Sequence, residues 1–82
     1  MKTIVICDTE PIAIAGMQSL LEETAGMTVV AAENSLSGGI DAVRDLAPSL
    51  LIVDKSFGSQ AVLDWISGLR VSDSPTTVMV WS

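Results

Sequence analysis

Leu50-Leu-Ile-Val-Asp54 sets four apolar residues in a row ahead of a single carboxylate. So short and uniform a run fits a strand buried on both faces, the pattern of a parallel sheet. A buried helical segment has the same composition, and the flanks decide between the two. Pro48 stops a helix just before the run, and Lys55-Ser-Phe-Gly58 breaks it just after. The strand ends where a sheet meets water, so its terminal acid stands at a rim.

Working outward, Thr3-Ile-Val-Ile-Cys7 is a second short apolar run that also ends in an acid, Asp8. Pro11 follows where the first turn of a helix tolerates proline. Ile14, Met17, Leu20 and Leu21 then recur at helical spacing, and Gly26 stops the helix. Gly16 inside it marks an expected close approach to the sheet. Met27-Thr-Val-Val-Ala-Ala32 reads as the second strand and Glu33-Asn-Ser-Leu36 as a loop. Ser37 is the expected cap of a second helix whose apolar stripe is Ile40, Val43 and Leu46-Ala47. After the third strand, Lys55 to Ser59 is a loop. Gln60 to Arg70 is a third helix with Val62, Leu63, Ile66 and Leu69 inward. Thr76 to Ser82 is a fourth strand. The order β-α-β-α-β-α-β predicts one α/β domain over residues 1–82, with a parallel sheet, right-handed crossovers and helices on both faces.

The chain has 82 residues, enough for one small domain that buries roughly 60–65% of its unfolded surface. Mean hydropathy is +0.53 and 49% of residues are hydrophobic, which excludes a disordered segment. No apolar run reaches the roughly 18 residues of a membrane span, and the N-terminus lacks a signal-peptide layout. The expected location is the cytoplasm. There is no histidine and one cysteine, which removes histidine catalysis, histidine metal sites and an internal disulfide. Ten Asp+Glu against four Lys+Arg give a net charge of −6, and the four cations are scattered. This argues against nucleic-acid binding through phosphate contacts.

In open α/β sheets, sites form beyond the carboxyl ends of the strands where strand order reverses. Asp8, Asp54 and Ser82 stand at such ends. In a flavodoxin-like order, 2-1-3-4, the first and third strands are neighbours about 4.8 Å apart, so Asp8 and Asp54 share one cleft. Two facing carboxylates favour a cation between them, and oxygen-only ligands suit Mg2+. A carboxylate in such a cleft can accept a phosphoryl group. Without such a cation, Asp54 reads as a polar strand-end residue and Asp8 as a helix-capping acid; Thr9 reads first as a capping hydroxyl. Cys7 reads as a small buried hydrophobe, and Trp65 and Trp81 as packing residues.

Ile6-Cys-Asp8-Thr-Glu-Pro11, Gly16 with Leu20-Leu21-Glu22, Leu46-Ala-Pro48, Leu51-Ile-Val-Asp54 and Val78-Met-Val-Trp-Ser82 together resemble the CheY-like receiver domain of bacterial response regulators. The resemblance is nearest to the LuxR/NarL-type subgroup, and it spans nearly the whole chain. It implies a receiver that stops after the fourth strand, without the fifth strand and last helix. It also implies phosphorylation of Asp54 by a sensor histidine kinase with Mg2+. Asp8, Asp54 and the backbone carbonyl of Ser56 would hold the metal, with Thr9 or Glu10 as a further donor. Ser82 matches the hydroxyl that contacts the phosphoryl group and shifts on activation. DNA would be reached through an effector domain outside these residues. The chain departs from the family pattern at Thr9, where a second acid is usual. It departs again at Phe57-Gly58 and Ala61-Val62, and the family's fifth-strand lysine has no counterpart in these residues.

A different class of function is a pseudo-receiver that acts as an interaction or dimerisation module without phosphotransfer; Thr9 favours it. A small flavodoxin-like ligand binder is weaker, because no glycine-rich phosphate loop follows the first strand. Residues Thr76 to Ser82 carry no charge, so an uncovered fourth strand invites pairing with a second copy. A homodimer, with the fourth strand or a helix exchanged between subunits, is therefore expected.

Overall fold

The computed structural model describes residues 2–23 and 27–81. Gly26 and Ser82, singled out above, lie outside them. The elements are β1 (Lys2–Cys7), α1 (Pro11–Glu22), β2 (Met27–Glu33), α2 (Leu36–Leu46), β3 (Leu50–Asp54), a single 3-10 turn (Lys55–Phe57), α3 (Ser59–Val71) and β4 (Thr77–Trp81). All strand pairs are parallel and the order is β2-β1-β3-β4, as a flavodoxin-like fold requires. The β1–β2 register slips by one residue between Ile4 and Val5. No described helix is long and apolar enough to cross a membrane.

The two central strands explain the stability of the sheet. Ile4, Val5, Ile6, Cys7, Leu51 and Val53 are wholly buried. Burying each large aliphatic side chain contributes roughly 1.5–3 kcal/mol. Alternation sends Ile4, Ile6 and Ile52 to one face, where Ile14, Met17 and Leu21 of α1 cover them. Val5, Cys7, Leu51 and Val53 go to the other, against Val43 of α2 and Val62 and Trp65 of α3. The result is the three-layer arrangement, with helices on both faces.

Several local expectations need correction. Ser35, not Ser37, caps α2: its Oγ accepts a hydrogen bond from the Gly38 N–H at 3.1 Å. The helix therefore begins earlier and turns its glycine side inward. Gly39 is buried, and a Cβ there would meet Cys7 Sγ at 2.6 Å and the Trp65 ring at 3.1 Å. That close approach rotates Ile40 and Leu46 outward, to 38% and 47% exposure. Ala47 does not extend the stripe. It ends the helix in the left-handed conformation at φ 44°, ahead of Pro48. In α3 Trp65 packs inward, as its reading as a packing residue expects, while Leu63, expected inward, is 57% exposed. Among the described residues nothing lies within 4 Å of a Cβ placed at Gly16, so the expected close approach to the sheet is not made. Thr76 precedes β4 rather than opening it, and its buried hydroxyl donates to the Pro48 carbonyl at 2.7 Å.

Candidate functional site at the carboxyl ends of β1 and β3

The site follows from register. Cys7 of β1 pairs with Val53 of β3, so the next residues, Asp8 and Asp54, leave neighbouring strands at the same rim. Asp54 in turn pairs with Trp81 of β4. Side chains from three adjacent strand ends thus converge.

Asp8 is 1% exposed, although it is a carboxylate. Burial of a charge is tolerated when hydrogen bonds replace water. Its Oδ1 accepts from the Glu10 N–H at 2.8 Å, bridging the turn into α1. Its Oδ2 accepts from the Trp81 indole N–H at 3.1 Å. Its own backbone N–H donates to the Glu33 carbonyl, which ties the residue to β2. The residue that caps α1 by position is Glu10, without a side-chain capping bond.

Asp54 is half-buried. Its Oδ1 accepts from the Ser56 N–H at 3.1 Å and its Oδ2 from the Ser56 hydroxyl at 2.9 Å. Thr9 Oγ1 lies 3.0 Å from Ser56 Oγ. An ionised carboxylate only accepts, so Ser56 gives its proton to Asp54 and receives one from Thr9. The hydroxyls form a relay, Thr9 to Ser56 to Asp54, that bridges the loops after β1 and β3. Thr9 is therefore not the cap that its sequence position suggests.

Asp8, Thr9, Asp54 and Ser56 are brought together. The Glu10 backbone joins them through Asp8, while its side chain is exposed. Trp81 is the participant that sequence reasoning missed. Its bond to Asp8 joins residues 73 positions apart, and only the sheet register brings them close. Behind the site, burial and the charges of Glu33 and Asp8 push the Cys7 thiol up to about 11. Its Sγ donates to the Ser35 carbonyl at 3.3 Å, so it is a buried packing group and not a nucleophile.

Mg2+ is the ion that the acid pair implies. As arranged, the residues do not fit it. Among the described residues, no three Asp, Glu, His or Cys side chains stand close enough to hold a metal. Thr9 turns its hydroxyl to Ser56, and all four carboxylate oxygens of Asp8 and Asp54 already accept protein hydrogen bonds.

No family model matches the chain, and no curated protein matches it. Solved structures do. The signal receiver domain of the response regulator NarL from Mycobacterium tuberculosis superposes with a TM-score of 0.87 at 16% identity, over 96% of this chain and 64% of that one. A LuxR-family DNA-binding response regulator from Staphylococcus aureus gives 0.87 at 12% identity, over 98% of this chain and 67% of that one. The isolated receiver domain of RcsB from Salmonella enterica gives 0.84 at 22% identity, over 98% and 59%. The fold is that of the receiver domains of NarL/LuxR-family response regulators. The chain spans about two thirds or less of the length of the structures it matches.

Proposed function

We propose that this chain is the receiver portion of a two-component response regulator, with Asp54 as the phosphoryl acceptor and a sensor histidine kinase as the donor. The observation that carries this reading is the placement of Asp54. It is half-buried at the end of a buried central strand, at the rim where strand order reverses and beside a second, deeply buried acid. A carboxylate oxygen of Asp54 attacks phosphorus, the P–N bond of the donor phosphohistidine breaks, and the imidazole takes a proton from water. Ser56 orients the attacking group through its N–H and hydroxyl. The chain serves as an acceptor in this reaction, not as an enzyme with turnover. Its output passes to a DNA-binding effector outside these residues.

Acetyl phosphate, supplied with and without Mg2+, tests the reading by intact mass. An added phosphoryl group that disappears in Asp54→Asn supports it. A wild-type chain that gains no mass under either condition refutes it.

The second reading, a pseudo-receiver that signals without phosphotransfer, is favoured by the closed hydrogen bonding of both acids and by Thr9. A second copy pairing along β4 is the proposed partner in either reading. In the described sheet β4 is an outer strand, with Met79 and Val80 about half exposed. Sedimentation showing only monomer at low micromolar concentration counts against it.

A further inference from the structure

We propose that a second copy of this chain lays its helix α1 into the groove between α3 and β4. The proposal rests on the reading above that copies meet along β4, and it names the surface that fills that edge. The groove follows β4 on the α3 side of the sheet. One part is walled by Val62, Leu63 and Val80, with Lys55 beside them. The other is walled by Ile66, Leu69 and Val78, with Arg70 beside them. Leu63 and Val80 are exposed, so apolar surface stands in water here. Lys55 and Arg70 are exposed too, and among the described residues neither joins an ion pair: the ion pairs found there both belong to Arg44. An apolar groove with a cation at each end suits an apolar element with an acid at each end.

Helix α1 is such an element. Ile12, Gly16 and Leu20 recur every fourth residue and so share one face. That face points outward: Ile12 is 85% exposed and Leu20 67%. Glu10 precedes the helix and Glu23 ends it, both exposed. The two acids stand roughly 20 Å apart along the axis. Lys55 follows Asp54, which pairs with Trp81, and Arg70 shares its part of the groove with Thr77. The cations are therefore separated by the length of β4, roughly 17 Å, and their long side chains cover the difference. Length, apolarity and charge all match. The net charge of −6 sets acidic faces of two copies against each other, whereas this contact brings opposite charges together. Because α1 and α3 cover opposite faces of the sheet, every copy offers both surfaces at once. The contact is head-to-tail, and assemblies grow beyond a pair unless they close into a ring.

Analytical sedimentation of the whole chain and its variants tests this. Leu20→Asp spoils the helix face and Leu63→Asp the groove; both positions are exposed, so each variant should keep its circular dichroism spectrum. Each alone should self-associate at least about tenfold more weakly than wild type, the scale of an apolar anchor at an interface. Mixed in equal amounts, they should form one-to-one pairs and nothing larger, because the mixture keeps one intact groove and one intact helix face. Lys55→Glu combined with Arg70→Glu should abolish association. Leu20→Ser and Leu63→Ser carry the same comparison if an Asp variant fails to fold. Association that survives Leu20→Asp, that is not restored on mixing, or that ignores the loss of both cations overturns the docking of α1 and leaves the β4 pairing standing. A wild-type chain that stays monomeric overturns both. Phosphoryl transfer is not part of the readout, so a chain that never accepts phosphate leaves this contact untouched.

Discussion

Gly39→Ala should destabilise the domain, even though alanine is the better helix former. Gly39 is buried in the first part of α2, where a new Cβ would lie 2.6 Å from Cys7 Sγ, 3.2 Å from Cys7 Cβ and 3.1 Å from the Trp65 ring. None of these neighbours yields easily. Cys7 sits on a wholly buried central strand with its thiol bonded to the Ser35 carbonyl, and Trp65 fills the core between α3 and the sheet. Overpacking of this kind costs about 1–3 kcal/mol, and the double block places it at the upper end. Replacing glycine inside a helix returns about 1 kcal/mol. The net loss is about 2 kcal/mol, or a fall of roughly 8–16 °C in melting temperature for a domain this small. Urea and thermal unfolding followed by circular dichroism measure it. Cys7→Ala removes the nearest obstructing atom. The double variant should therefore be more stable than the sum of the single effects by at least about 1 kcal/mol. A Gly39→Ala chain as stable as wild type, or a double variant that is merely additive, refutes the packing argument.

Gly16→Ala serves as the opposite case: no described residue lies within 4 Å of a Cβ there, so the change should stabilise α1 by up to about 1 kcal/mol in the same assay. Ser35→Ala removes the side-chain cap of α2 and should cost about 1 kcal/mol, whereas Ser37→Ala should change stability by less than about half that. Cys7 gives a pH signature. Its ordinary value near 9.0 rises to about 11 in the fold because burial and the neighbouring acids Glu33 and Asp8 disfavour the thiolate. Between those values the unfolded chain has lost the proton that the folded chain keeps, so stability should fall as pH rises from about 9 to about 11. Unfolding midpoints across that range should lose this slope in Cys7→Ala.

The architecture was largely legible because its signals are local. Pro11, Pro48 and the two apolar runs ending in acids mark element ends without reference to anything distant, and strict β-α alternation leaves few topologies. The rotation of each helix about its axis was not legible in the same way. Large apolar residues at Ile40 and Leu46 compete in sequence with the glycine that the core actually takes, Gly39, and Leu63 passes for a core residue beside Trp65, the one that packs. The choice is made by how closely α2 approaches Cys7, a tertiary distance with no periodic signature. The two serines flanking Leu36 are chemically equivalent caps, and the choice of Ser35 shows only once α2 is seen to start at Leu36. In the site, the positions of Asp8 and Asp54 follow from their place at strand ends. Their partners do not, because the Thr9–Ser56 and Trp81–Asp8 contacts exist only once strands distant in sequence lie in register.

The convergence of three strand ends on Asp8 is tested most directly by the indole N–H resonances of the two tryptophans in a proton–nitrogen correlation spectrum. The Trp81 signal should lie downfield in wild type, as expected of a donor to a carboxylate. It should move upfield in Asp8→Asn, while the Trp65 signal stays nearly in place. A Trp81 resonance that ignores Asp8→Asn would contradict the account.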